Sequence, residues 1–251
     1  MIAVENLTKS FKRRGKLFRA VDGISFGCAE GEALGIIGPN GAGKSTLFNM
    51  LATLLLPDAG RAAIAGHDIA TEPEAVRQNI GFVSRDHRLY ERMTPRENLR
   101  YFGLLNGIDK RDIDAVVDNL LTSLTLGDYM DVPVKSLSFG IGRRVSIGRG
   151  IIHRPPVLIL DEPLVGLNVA EADVILNFIR DYHRQGQTIV FCSNVFEDVE
   201  IVCDRILIMI GGKIAVIGTL AELQAMTGAE YIKDIYTNIF LNVKDCAGVR
   251  S

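Results

Sequence analysis

The sequence predicts an α/β chain built on a mainly parallel sheet, with an antiparallel β section at its beginning and a small helical insert in its middle. Three observations carry this. Apolar strand-like segments alternate with helical ones through the second half, which implies parallel strands joined by right-handed crossovers. The apolar run Ala33–Ile37 leads directly into a glycine-rich loop and then a helical stretch. Two helical stretches follow one another after residue 94 with no strand between them, as an insert in an α/β core would.

Taken in order, residues 2–7 and 16–26 read as the two arms of a hairpin, with Lys12, Arg13, Arg14 and Lys16 near its tip. That tract reads as a solvated turn rather than a nucleic-acid contact. Residues 44–56 have helical composition, broken by Pro57, Asp58, Ala59 and Gly60. Ile80–Val83 suits a buried strand. Thr94, Pro95 and Glu97 then mark a helix start: the threonine caps, the proline sits in the first turn and the glutamate closes a capping box. The helical pattern continues to about Leu126, interrupted at Asn106 and Gly107. From about Gly140 the order is helix, strand 157–160, helix 170–184, strand Thr188–Cys192, helix 195–203 and strand Arg205–Ile210. A helical tail opens at Thr219, which pairs with Glu222 as a second capping box. The expected division is a main domain over 1–218, with the insert at about 94–140, and a tail over 219–251.

At 251 residues the chain can bury a substantial core, and its 47% apolar content is ordinary for a globular protein. A net charge of −2 argues against a surface committed to nucleic acid. Cys28, Cys192, Cys203 and Cys246 are scattered singly, without a CxxC pair or a secretory signal, which fits reduced thiols in the cytosol. Apolar runs such as Ile206 to Ile210 fall far short of the ~20 residues a spanning helix needs. The chain is therefore expected to stay out of the bilayer, while remaining able to dock on a protein that crosses it. His67, His87, His153 and His183 have no metal-ligand spacing and read as structural or surface residues.

The chemistry lies in two motifs. Gly38, Pro39, Asn40, Gly41, Ala42, Gly43, Lys44, Ser45 and Thr46 fit G-x-x-x-x-G-K-[ST] followed by threonine. In that pattern backbone amides wrap phosphates, the lysine neutralises β and γ oxygens, and Ser45 ligates Mg²⁺. The second motif is Asp161-Glu162 at the end of the strand 157–160. Two acids at a strand end are by themselves a solvated exit. Beside a phosphate loop they read as a site, with Asp161 holding Mg²⁺ through water and Glu162 orienting or deprotonating the attacking water.

Leu137-Ser138-Phe139-Gly140-Ile141 lies some twenty residues before Asp161 and resembles the LSGGQ signature of ABC ATPases. The run GRRVSIGRGIIHRPPVLILDEPLVGLN is similar to the family's path from signature helix through acidic strand to D-loop. The resemblance extends from Leu7 to about Gly218. It implies the ABC ATPase fold, ATP and Mg²⁺ as ligands, and a composite site in which Ser138 and Gly140 close over the γ-phosphate held by a second ABC ATPase subunit, in a homo- or heterodimer. It also implies that Phe11 matches the aromatic stacked on adenine; from its own setting Phe11 reads equally as core. The segment RLYERMTPRENL and the tail GTLAELQAMTGAEYIKDIYTNIFL resemble the sodium- and drug-efflux type of bacterial exporter ATPase. That implies a separate membrane permease, touched by the insert and the segment near Arg85, Tyr90 and Glu91, and a cytoplasmic, peripheral position on the inner face of the cell membrane.

Four positions depart from the family pattern. Arg85 stands where the family usually has glutamine, Asn194 in place of the switch histidine, Phe139 in place of a signature glycine, and Asn168 where the D-loop usually has aspartate. An arginine cannot ligate a metal as an amide oxygen does, and the Asn194 amide retains a hydrogen bond while losing the ring's reach and protonation. In a homodimer both sites would carry all four. Removing one well-placed transition-state donor costs about 10² to 10³ in rate, so the expectation is ATP binding and dimer closure with slow hydrolysis. Gly142, Gly148 and Gly150 in the following helix admit two readings: close packing, or drift under relaxed demands. Three functions are thereby set against each other. The first is a transport ATPase. The second is an ATP-gated dimerisation switch with little or no hydrolysis. The third, a soluble ABC protein acting on nucleic acid or ribosomes, fits poorly with a single motif set and no heptad run.

Overall fold

A computed structural model describes residues 1–13, 15–86 and 89–246, with the side chains of 13 and 244–246 left aside. Arg14 and His87 lie outside the described residues. Strands β1 (Ile2–Arg13) and β2 (Lys16–Cys28) pair antiparallel along nearly their whole length. The basic tract is thus mostly strand end rather than loop. With β4 (Ala59–Ile64) and β5 (His67–Asp68) they form a four-stranded antiparallel sheet of order β2-β1-β4-β5.

The second sheet has six strands in the order β10-β9-β3-β8-β7-β6. Its members are β3 (Ala33–Ile37), β6 (Ile80–Val83), β7 (Val157–Asp161), β8 (Thr188–Cys192), β9 (Arg205–Ile210) and β10 (Lys213–Thr219). All neighbours are parallel except the edge pair of β10 and β9. The β3, β7 and β8 side chains are buried on both faces, which is why these strands read as unbroken apolar runs.

Alternation along each strand sends side chains to two separate apolar layers. On one face Leu34, Ile36, Ile159, Val190 and Leu207 join α1 (Lys44–Leu51), α2 (Pro73–Asn79) and the antiparallel sheet. On the other, Ala33, Ile37, Leu158, Leu160, Phe191 and Ile208 join α3 (Pro95–Leu105), α4 (Ile113–Ser123), α5 (Phe139–Ile151) and α6 (Val169–Arg184). The helices α7 (Phe196–Val202), α8 (Leu220–Thr227) and α9 (Ile232–Cys246) complete that side.

The helix starts follow side-chain chemistry. Thr94 Oγ accepts from the Glu97 amide at 3.2 Å while Glu97 Oε2 accepts from the Thr94 amide at 2.8 Å. Thr219 and Glu222 repeat this pair at 3.2 and 2.8 Å. One expectation needs correction. The helix after the glycine-rich loop ends at Leu51 rather than reaching residue 56, because Thr53 turns to a φ of +59°. Past Pro57, β4 begins at Ala59 and pairs with β1.

In α5, a Cβ on Gly148 would meet Leu124 Cδ1 at 2.8 Å and one on Gly150 would meet Val83 Cγ2 at 2.9 Å, so these two glycines serve close packing. Gly142 faces open space and nothing in the structure explains it.

Candidate functional site

Parallel strands place all their carboxyl ends on one edge of a sheet, and ligands bind in the crevice there. Here β3, β6, β7 and β8 deliver the glycine-rich loop, Arg85, Asp161 with Glu162, and Asn194 to that edge. The cleft that results has a volume of about 310 Å³. Its walls are residues 39–46, Phe11, Phe18, Ala20, Arg85, Asp161 and Glu162.

The loop enters α1 through Gly43, which adopts φ +102° and whose missing Cβ would otherwise strike the Ala20 carbonyl at 2.0 Å. No side chain caps α1, so its first amides are free to bind an anion at the positive end of the helix dipole. Lys44 is buried, and its Nζ donates to the carbonyls of Gly38 at 2.6 Å and Pro39 at 3.3 Å.

Asp161 is also buried. Burial pushes its carboxyl above the ordinary range, opposed by a hydrogen bond from Ser45 and by the Lys44 charge. Its Oδ1 has no hydrogen-bond partner among the described residues. A buried carboxylate oxygen without a donor, next to a serine hydroxyl, fits a hard divalent cation that keeps most of its waters. No cluster of three or more His, Cys, Asp or Glu suited to a metal occurs among the described residues.

Glu162 holds φ +51°, with its amide donating to the Cys192 carbonyl at 3.0 Å. Both carboxylate oxygens have partners. Asn194 Nδ2 donates to Oε1 at 2.5 Å, and Arg85 Nη1 lies 3.7 Å from Oε2. The Asn194 turn is itself fixed: Ser193 Oγ donates to Asp198 Oδ2 at 2.7 Å and accepts from the Val195 amide at 3.0 Å.

Phe11 is 40% exposed and Phe18 50%, and the two face each other across the β1–β2 register at the cleft. The reading of Phe11 as core is therefore overturned. Phe18 was not anticipated, because only the strand register identifies it as the neighbour of Phe11.

Ser138 and Gly140 stand apart from this cleft. Ser138 caps α5, its Oγ accepting from the Ile141 amide at 3.3 Å. A Cβ on Gly140 would collide with the Glu171 carboxyl at 2.2 Å. Ser138, Phe139 and Gly142 line a second groove, about 540 Å³, whose other wall is Arg85, Asp86, Leu89 and Glu91. Arg85 thus borders both cavities. Asn168 caps α6, its Oδ1 accepting from the Glu171 amide at 3.0 Å, a task asparagine performs as well as aspartate.

A family profile described as ABC transporter matches residues 21–165. The chain belongs to the ABC transporter ATP-binding family. The ABC transporter ATP-binding protein NatA of Bacillus subtilis is 34% identical over 237 residues, covering 94% of this chain and 96% of that protein. The daunorubicin resistance ATP-binding protein DrrA3 of Streptomyces coeruleorubidus is 37% identical over 214 residues, 85% of this chain and 68% of its own length. Among solved structures, a dimeric post-hydrolysis state of the ATP-binding cassette MJ0796 bound to ADP and phosphate superposes with a TM-score of 0.80. It is 23% identical, and the match covers 87% of this chain and 98% of that one. This ABC chain therefore has the ATP-binding cassette fold, and its family implies ATP hydrolysis in general. Among the described residues no helix is long and apolar enough to cross a membrane.

Proposed function

We propose that this chain is the ATP-binding subunit of an ABC exporter, that it closes on Mg·ATP with a second ABC subunit, and that it turns ATP over slowly. The backbone amides at the end of the loop and the start of α1, Gly43 to Thr46, and the Lys44 ammonium hold the phosphates, while Phe11 and Phe18 hold the base. Ser45 and Asp161 take the Mg²⁺, which when bound neutralises charge developing on the phosphate oxygens. The separation of Ser138 and Gly140 from the cleft suits a composite site, in which the partner subunit's Ser138 and Gly140 complete the γ-phosphate contacts. The similarity to a protein named for daunorubicin resistance supports export, through a separate permease that meets the helical insert and the segment near Arg85, Tyr90 and Glu91 from the cytoplasmic face of the membrane. No nucleic-acid partner is expected.

The observation that carries slow turnover is the double engagement of Glu162. To act on a water molecule its carboxylate must offer a lone pair to that water, and here one oxygen accepts from Asn194 while the other faces Arg85. Each oxygen keeps a further lone pair for water, so these two contacts act by holding the carboxylate in one orientation, and turning it toward the attacking water strains or breaks them. A switch that closes on ATP and opens mainly by nucleotide release is the second reading, favoured by the same contacts. The deciding experiment compares ATP affinity with steady-state phosphate release, for the wild type and for Glu162→Gln. Micromolar binding with turnover far below typical enzyme values supports the proposal. Turnover at an ordinary ABC ATPase rate, abolished by Glu162→Gln, refutes it.

A further inference from the structure

Arg143, in the second turn of α5, is among the largest fully buried side chains of the described residues. Its Nη1 donates to the Ser84 carbonyl at 2.8 Å and its Nη2 to the Arg85 carbonyl at 2.6 Å. The guanidinium lies against the Phe139 ring, 5.5 Å from its centroid, while Nε finds no acceptor among the described residues. Burial drives its pKa down to about 10, with nearby Asp86 favouring the charge.

A buried charge that ends on two carbonyls and leaves Nε unsatisfied is a poor way to stabilise a core, since a hydrophobic side chain of similar volume would serve as well or better. What it does supply is geometry. The planar fork fixes two consecutive carbonyls at once, so it sets the direction in which the chain leaves β6. Arg85 projects from that stretch, toward Glu162 on one side and the second groove on the other.

We propose that Arg143 is a positioning residue that sets the path of residues 84–86 and so aims Arg85 at Glu162. The signature helix and the segment bearing Arg85 are in this way tied together within one subunit. Any displacement of α5 relative to β6 must either carry Arg85 with it or break the fork.

The test combines backbone hydrogen exchange of the full chain without nucleotide and a double-mutant cycle on turnover. Arg143→Met and Arg143→Lys are expected to accelerate exchange in the peptide spanning 84–86 by about ten-fold or more, with the β7 and α1 peptides unchanged. A lysine reaches only one carbonyl, so it falls short of wild type and also covers the case in which the methionine variant does not fold. In the turnover arm, which rests on the ATPase reading above, Arg85→Gln changes the rate by about two- to three-fold in the wild type and not measurably in the Arg143→Met or Arg143→Lys background. Unchanged exchange at 84–86, or an Arg85→Gln effect that persists in full beside the Arg143 change, overturns the proposal. A chain that bound no ATP would sink the functional reading and leave the exchange arm decisive.

Discussion

Replacing Asn194 by alanine separates two opposite roles for one amide. In the structure that amide donates to Glu162 Oε1 at 2.5 Å. A hydrogen bond to a charged acceptor contributes about 1.5–3 kcal/mol, and the lower end applies because Asn194 is exposed. Releasing about 1.4 kcal/mol of restraint corresponds to roughly ten-fold in rate. The Arg85 contact is weaker: at 3.7 Å, with the arginine side chain 68% exposed, it contributes about 0–1 kcal/mol. Asn194 therefore dominates the hold on Glu162. Phosphate release at saturating Mg·ATP is expected to rise up to about ten-fold in Asn194→Ala, and to stay flat when the same change is made in a Glu162→Gln background. A fall of about 10² to 10³ would refute the reasoning, because that is the cost of losing a donor to the transition state. Asn194 would then serve the γ-phosphate and not Glu162.

Three other perturbations test separate parts of the molecule. Phe18→Ala should weaken ATP binding by about 1 kcal/mol, the lower end for stacking on a half-exposed ring, with phosphate affinity unaltered in calorimetry. Gly43→Ala forces a side chain into φ +102° and against the Ala20 carbonyl, so it should cost more than about 2 kcal/mol in urea unfolding and abolish nucleotide binding. His153 is held neutral: burial lowers its pKa from 6.5, and its Nε2 donates to the Ile80 carbonyl at 3.1 Å. Its charged form is favoured in the unfolded chain, so its contribution to stability is full above pH 6.5 and declines as pH falls toward the depressed folded value. The slope is at most about 1.4 kcal/mol per pH unit, and His153→Gln should remove it from an unfolding-versus-pH series.

The legible parts of the fold were those governed by neighbours in sequence. The glycine-lysine-serine pattern, the capping boxes at Thr94 and Thr219, and the buried strands around Ile36, Ile159 and Val190 all follow from local chemistry. What escaped were elements defined by partners far along the chain. The strand β4, AGRAAI, has small side chains and little β propensity, and it exists because β1 offers it a ladder. The helix α2 carried its signal, a proline at the first position, yet buries only Val76. In the site, the loop residues and Asp161 could be nominated from motifs, whereas Phe18 required the hairpin register. Arg143 was the least readable: Arg143 and Arg144 adjoin in sequence, and only the three-dimensional packing separates the fully buried one from its half-buried neighbour.

The six-stranded sheet divides the interior into two apolar layers that share no side chains. One layer backs the phosphate loop and the other backs α3 to α6. A substitution that reshapes the helical side thus has the backbone of the sheet between it and the cradle. The Arg143 fork is then a direct polar link from the helical side to the edge of the cleft, made through the carbonyls of Ser84 and Arg85 and not through either apolar layer.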